Sequence, residues 1–211
     1  MAEKLPDIVI KNALLTAGKT DIEITDGFIT RVGASAEKGV RCTLDGAGLS
    51  VEAGQIFFCR DSFSFNGEDL LFSGYSTVIF RQTAMSPPVS ELFKTAMSAP
   101  LNFAVISACK RSELPYDDGT LSAAQADLIA GHIGSLEVGM AADIFFRDSN
   151  GRVEKIIKGG KLIFDRSLTD RHDIIYTMAG PLHSTFFTTR SAAEGYIGQK
   201  LRGERRITAI V

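Results

Sequence analysis

The sequence predicts an α+β fold, with strands gathered at both flanks of the chain and a helix-containing α/β stretch between them. Three observations point there. Residues 21–25 (Asp-Ile-Glu-Ile-Thr) alternate polar and apolar side chains, the period-two pattern of a half-buried strand. Asp26-Gly27 follows, and then a second strand at 28–32; a DG pair between such strands is a two-residue hairpin signal, because Gly accepts the positive φ of a type I′ turn. Strand patterns return at 142–147, 153–158 and 161–164, the last two joined by the turn pair Gly159-Gly160.

The elements can be taken in order. Residues 7–15 read as a first strand with a small break at Asn12, and residues 41–44 as a strand that ends at the turn Asp45-Gly46-Ala47-Gly48. Residues 56–59 (Ile-Phe-Phe-Cys) form a short apolar strand. A short helix is expected at 68–74 with Gly74 at its C-terminal end. A β-branched and aromatic strand follows at 75–80. Val89, Leu92, Phe93 and Ala96 recur at helical spacing over 89–98, and residues 101–107 read as a further strand. A helix is expected over 120–130 with Thr120 or Ser122 as its N-cap, and Asp117-Asp118-Gly119-Thr120 as the turn leading into it. Residues 171–211 include a helical pattern at 191–201, weakened by Gly195 and Gly198, and a strand-like end at 207–211.

Composition narrows the function classes. The 211 residues carry a formal net charge of -2, which argues against a dedicated nucleic-acid binder or membrane-surface binder. No apolar run approaches a membrane span. The first residues carry no apolar signal core, so the expected location is cytoplasmic. Three widely spaced cysteines, Cys42, Cys59 and Cys109, fit reduced thiols better than a disulfide framework.

Two blocks of sequence carry a family resemblance. Asp26-Gly27-Phe28-Ile29, Leu44-Asp45-Gly46-Ala47-Gly48 and Gly54-Gln55-Ile56 form the first, in that order. Gly134-Ser135-Leu136-Glu137-Val138-Gly139-Met140-Ala141-Ala142-Asp143-Ile144, with Lys158-Gly159-Gly160-Lys161 downstream, forms the second. The chain resembles the amidohydrolase superfamily, the metal-dependent hydrolases that include dihydroorotases, cytosine deaminases and isoaspartyl dipeptidases. In that superfamily both blocks belong to one composite β-domain. The resemblance therefore implies a discontinuous β-sandwich built from residues 1–56 and 134–170. A truncated, barrel-like α/β insertion at 57–133 is threaded through it, and residues 171–211 pack on the insertion or on a partner. A complete TIM barrel is excluded, because it takes about 250 residues, and at least about 200.

The superfamily's first barrel strand ends in His-x-His, which supplies two metal ligands. The matching positions here are Cys59 and Asp61, separated by Arg60, and Phe57 stands where an Asp is usual. A thiolate and a carboxylate at i, i+2 on a strand share a face and can bind zinc, so Cys59 and Asp61 are the candidate metal residues. The plainer reading is a decayed site with Cys59 as a small buried side chain, and no cofactor. His132, His172 and His183 are the three histidines, with no pair at i, i+2 or i, i+4. His183, in the polar loop Gly180-Pro181-Leu182-His183-Ser184, is the candidate substrate-binding residue; adjacent Ser184 makes a poor nucleophile partner for it. Asp117-Asp118 reads as part of a turn rather than a carboxylate pair, and Arg202, Arg205 and Arg206 as a solvated face. No catalytic residue is assigned.

The functional expectation is an amidohydrolase-like protein without the superfamily's metal-dependent activity, acting as a binding, regulatory or assembly protein. The alternative is a hydrolase acting on carbon–nitrogen (non-peptide) bonds with a reduced or shared metal site. About three barrel-type strands leave unpaired sheet edges, which proteins cover or pair. A homodimer is the commonest symmetric solution, so self-association is expected, alongside a protein partner.

Overall fold

The computed structural model describes residues 5–35, 39–59, 67–81, 101–106, 119–121 and 133–167. They belong to two units: one drawn from Met1–Ala53 and Gly134–Gly180, the other from Gly54–Ile133 and Pro181–Val211.

The first unit holds β1 (Ile8–Leu15), β2 (Gly18–Thr25), β3 (Phe28–Val32), β4 (Cys42–Asp45) and β5 (Ser50–Ala53). From the second block come β10 (Ile144–Arg147), β11 (Val153–Lys158) and β12 (Lys161–Asp165). These eight strands make one sheet in the order β12-β11-β10-β5-β1-β2-β3, with β4 also paired to β1. Beyond β3 the sheet turns back on itself. Ile29 N donates to the Met140 carbonyl at 2.8 Å, Gly139 N to the Ile29 carbonyl at 2.8 Å, and Ala142 N to the Gly27 carbonyl at 2.8 Å. The side chains of Ile8, Ile10, Ile22, Ile24, Ile29, Val51, Ile144, Phe146 and Ile157 thereby share one core. Ile24 and Ile144 lie in that same core although 120 residues of chain separate them (~120 from their numbering).

The pairing of β5 with β10 explains how a discontinuous chain makes one unit. The two are antiparallel, with Ala53 beside Ile144 and Ser50 beside Arg147. The chain thus leaves the sheet and returns to it at neighbouring points, and the stretch between can fold separately.

Local chemistry accounts for the elements. Asp26 and Gly27 have φ of 54° and 86°, the two positive values of a type I′ turn, which matches the twist of the flanking strands. Asn12 has φ of 56°, and the β1–β2 register shifts between Ile10 and Ala13, so the break expected there is a β-bulge. One strand was not legible in the sequence: β5 starts two residues after Gly48 in a segment that reads as a connection. One face assignment also differs. Alternation places Glu23 on the solvent side of β2, yet Glu23 is 8 % exposed, with Arg31 at 3.8 Å.

Four carboxylates of this unit sit below the ordinary range. Burial pushes Asp21 up, but hydrogen bonds from Lys11, Asn12 N and Ser35 N outweigh it. Burial likewise opposes, and Lys155 and Ser167 overcome it, at Asp165. Asn12 and Ala47 N lower Asp45, and Arg152 N lowers Asp148. A carboxylate depressed in the folded state binds fewer protons than in the unfolded chain. Its contribution is present above the unfolded value of about 4 and is lost as pH falls through the folded value. Asp21→Asn should therefore lower stability near neutral pH, with the two proteins' stabilities converging as pH falls through the folded value of Asp21. Parallel curves across that range would contradict the assignment.

In the second unit, β6 (Gln55–Cys59) is followed by α1 (Gly67–Ser73), β7 (Tyr75–Arg81), β8 (Asn102–Ile106) and β9 (Gly119–Leu121). The sheet order is β8-β7-β6-β9. β6, β7 and β8 are parallel, as expected of barrel-type strands. α1 buries Leu71 and places Glu68 and Asp69 in its first turn, where the helix dipole favours negative charge. Gly74 ends it with φ of 104°, a backbone state that glycine accepts readily.

The end of this unit corrects one expectation. Gly119, Thr120 and Leu121 form β9, antiparallel to β6, with Ile56 beside Leu121 and Phe58 beside Gly119. Thr120 is therefore a strand residue and not a helix N-cap, and Gly119-Thr120 is not the end of a turn. The unit has four strands among the described residues where three were expected. The reason is the open edge of β6: an apolar edge strand leaves unpaired N–H and C=O groups, and pairing them outweighs the weak local preference of three residues. The remainder of the predicted helix over 122–130, the helix at 89–98 and all elements beyond 167 lie outside the described residues.

Candidate functional site

The residues that carry the family resemblance are the natural place to look for chemistry. In the first unit they prove to be joints. Gly27 and Gly160, the glycines of two hairpin turns, meet back to back. A Cβ on Gly160 would lie 2.5 Å from the Gly27 Cα, and one on Gly27 would lie 2.9 Å from the Gly159 carbonyl oxygen. Both also have positive φ, so neither position has room or conformation for a side chain. Leu136 and Met140 pack against the core, and Gly139, with φ of 89°, turns the chain between them.

Asp143 and Lys158 form a buried ion pair in the first unit. It is 3 % exposed, Lys158 is 4 % exposed, and Lys158 Nζ donates to Asp143 Oδ2 at 2.6 Å. Gly159 N donates to Asp143 Oδ1 at 2.7 Å. A buried charge of either sign alone would be costly, and here each neutralises the other while the second carboxylate oxygen holds the Gly159 turn. Sequence reasoning treated both residues as ordinary strand positions. The available signal was a single Asp in Ala141-Ala142-Asp143-Ile144-Phe145-Phe146 and a single Lys closing Ile156-Ile157-Lys158.

The Asp45-Gly46 part of the first block cradles the β1 bulge. Asn12 Nδ2 donates to Asp45 Oδ1 at 3.1 Å, and Gly46 N to the Lys11 carbonyl at 2.8 Å. Beside it, Lys11 Nζ lies 2.7 Å from Ser35 Oγ. Lysine next to a serine hydroxyl can act as a general base only when neutral. Lys11 Nζ also lies 3.0 Å from Asp21 Oδ2, so the side chain ties the bulge of β1 to β2 and to Ser35.

The other candidate place is the C-terminal ends of the parallel strands. Ligand chemistry on parallel α/β sheets collects there. Cys59, the last residue of β6, sits beside Phe80 of β7. It is a reduced thiol, 1 % exposed. Phe57, where the superfamily has an Asp, packs edge-on against Tyr75 with ring centroids 5.4 Å apart. At the opposite, N-terminal end, Thr77 and Asn102 are buried, and Asn102 Nδ2 donates to Thr77 Oγ1 at 3.2 Å, tying β8 to β7.

Of the candidates named from sequence, only Cys59 belongs to the described residues. Asp61, Arg60, His132, His172, His183, Asp117, Asp118 and the arginines at 202, 205 and 206 lie outside them. Among the described residues no three His, Cys, Asp or Glu side chains converge as a metal site requires. No helix of the described residues is long and apolar enough to cross a membrane.

No protein-family model matches the sequence, and no curated protein matches it. Among solved structures, the chain is similar to a beta-aspartyl dipeptidase from Fervidobacterium islandicum AW-1, with 10% identity and a TM-score of 0.49 over 75% of this chain and 96% of that one. It is also similar to a D-hydantoinase, with 24% identity and a TM-score of 0.36 over 48% of this chain and 27% of that one. An adenine deaminase matches with 24% identity and a TM-score of 0.40, over 48% of this chain and 30% of that one. These are amidohydrolase-superfamily proteins, and the chain spans under a third of the hydantoinase and the deaminase.

Proposed function

We propose that this amidohydrolase-like chain acts as a binding, regulatory or assembly protein in the cytoplasm, without the superfamily's metal-dependent hydrolysis. The observation that carries the reading is β9. It lies antiparallel on β6, at the edge where a closed barrel needs another parallel strand. That edge of β6 is thus taken, and the strand ends in Cys59, with Asp61 two residues further along the sequence, where the superfamily has two imidazoles. In metal-dependent hydrolases the metal lowers the pKa of bound water to make a nucleophile at neutral pH. Without that charge, cyclic amides and amino-substituted bases lack an attacking group.

The test is elemental analysis of the purified protein, followed by zinc addition. The expected result is less than about one-tenth of an equivalent of zinc and no thermal stabilisation by added metal, because a ligand that binds the folded state must stabilise it. Stoichiometric zinc that disappears in Cys59→Ala or Asp61→Ala would establish the alternative, a hydrolase of carbon–nitrogen (non-peptide) bonds with a reduced or shared site.

Self-association is part of the same reading. β8 is paired on one side by β7 and by no described strand on the other. An open edge of this kind favours a partner, most simply a second copy. Light scattering at micromolar concentration should give about twice the chain mass. A folded monomer there would remove the dimer from the proposal.

A further inference from the structure

We draw no further inference here: the strongest candidate, the outer edge of β8 in the four-stranded sheet, carries nothing beyond the self-association already proposed, because nothing among the described residues shows what covers it.

Discussion

Replacing Asp143 by alanine is expected to cost the β-rich unit about 3–5 kcal/mol, the range for breaking a buried ion pair from one side. Lys158 would remain 4 % exposed with its carboxylate partner gone, and Gly159 N would lose its acceptor. The cost comes from removing the carboxylate that sits against a buried ammonium, and this can be tested. In Asp143→Ala/Lys158→Met the buried ammonium is removed together with its carboxylate, so most of the loss should return. A residue of about 1 kcal/mol should remain for the hydrogen bond from Gly159 N. Urea denaturation of the three proteins measures both quantities. If the double variant is no more stable than Asp143→Ala, charge burial is not what the pair resolves. If Asp143→Ala itself is within about 1 kcal/mol of the parent, the pair is not buried as described.

The second large effect is expected at the contact between the two hairpin turns. Gly160→Ala brings two penalties. Holding an L-residue at φ of 72° costs roughly 1–2 kcal/mol, and forcing a methyl into filled space costs about 1–3 kcal/mol more. The obstacle is the Gly27 backbone at 2.5 Å, which cannot swing aside as a flexible side chain can. Gly151→Ala provides the control. Its φ is 77° and nothing lies within 4 Å of the added Cβ, so it should incur the conformational penalty alone. The difference between the two variants isolates the close approach. Equal losses of stability at 160 and 151 would mean that the turns are not in contact.

Both effects fall on residues of the superfamily-like blocks, and this explains what the resemblance carries. Gly27, Gly160, Asp143, Leu136 and Gly46 each join segments that are distant in sequence. They preserve how the β-rich unit closes. The resemblance in these joints therefore concerns the fold, since function resides in the site and not in the scaffold.

What the sequence by itself determined is the set of features whose cause is local. The hairpin at Asp26-Gly27, the bulge at Asn12 and the turn at Gly159-Gly160 depend on which residues tolerate positive φ. β3 and β11 have the bounds that the period-two pattern and the turns dictate. The end of α1 follows from Gly74, which can adopt φ of 104° where a β-carbon would be strained. The two distant blocks of motif also indicated that residues 134–164 return to the first sheet, and the β5–β10 ladder is that return.

Only the tertiary structure decided where a partner distant in the chain outweighed local preference. Thr120 has the character of a helix start, yet β6 offered an unpaired edge about sixty residues earlier in the chain, and the strand pairing prevailed. Glu23 lies on the polar side of an alternating pattern but is buried, with Arg31 of β3 close by. Asp143 and Lys158 read as ordinary strand positions, because nothing within a few residues of either pairs them; the β10–β11 pairing brings them together and encloses them. Periodicity reports the face a side chain occupies on its own strand. Whether a second layer covers that face depends on the whole chain's packing, which is why the buried pair, the glycine contact and β9 emerged only in three dimensions.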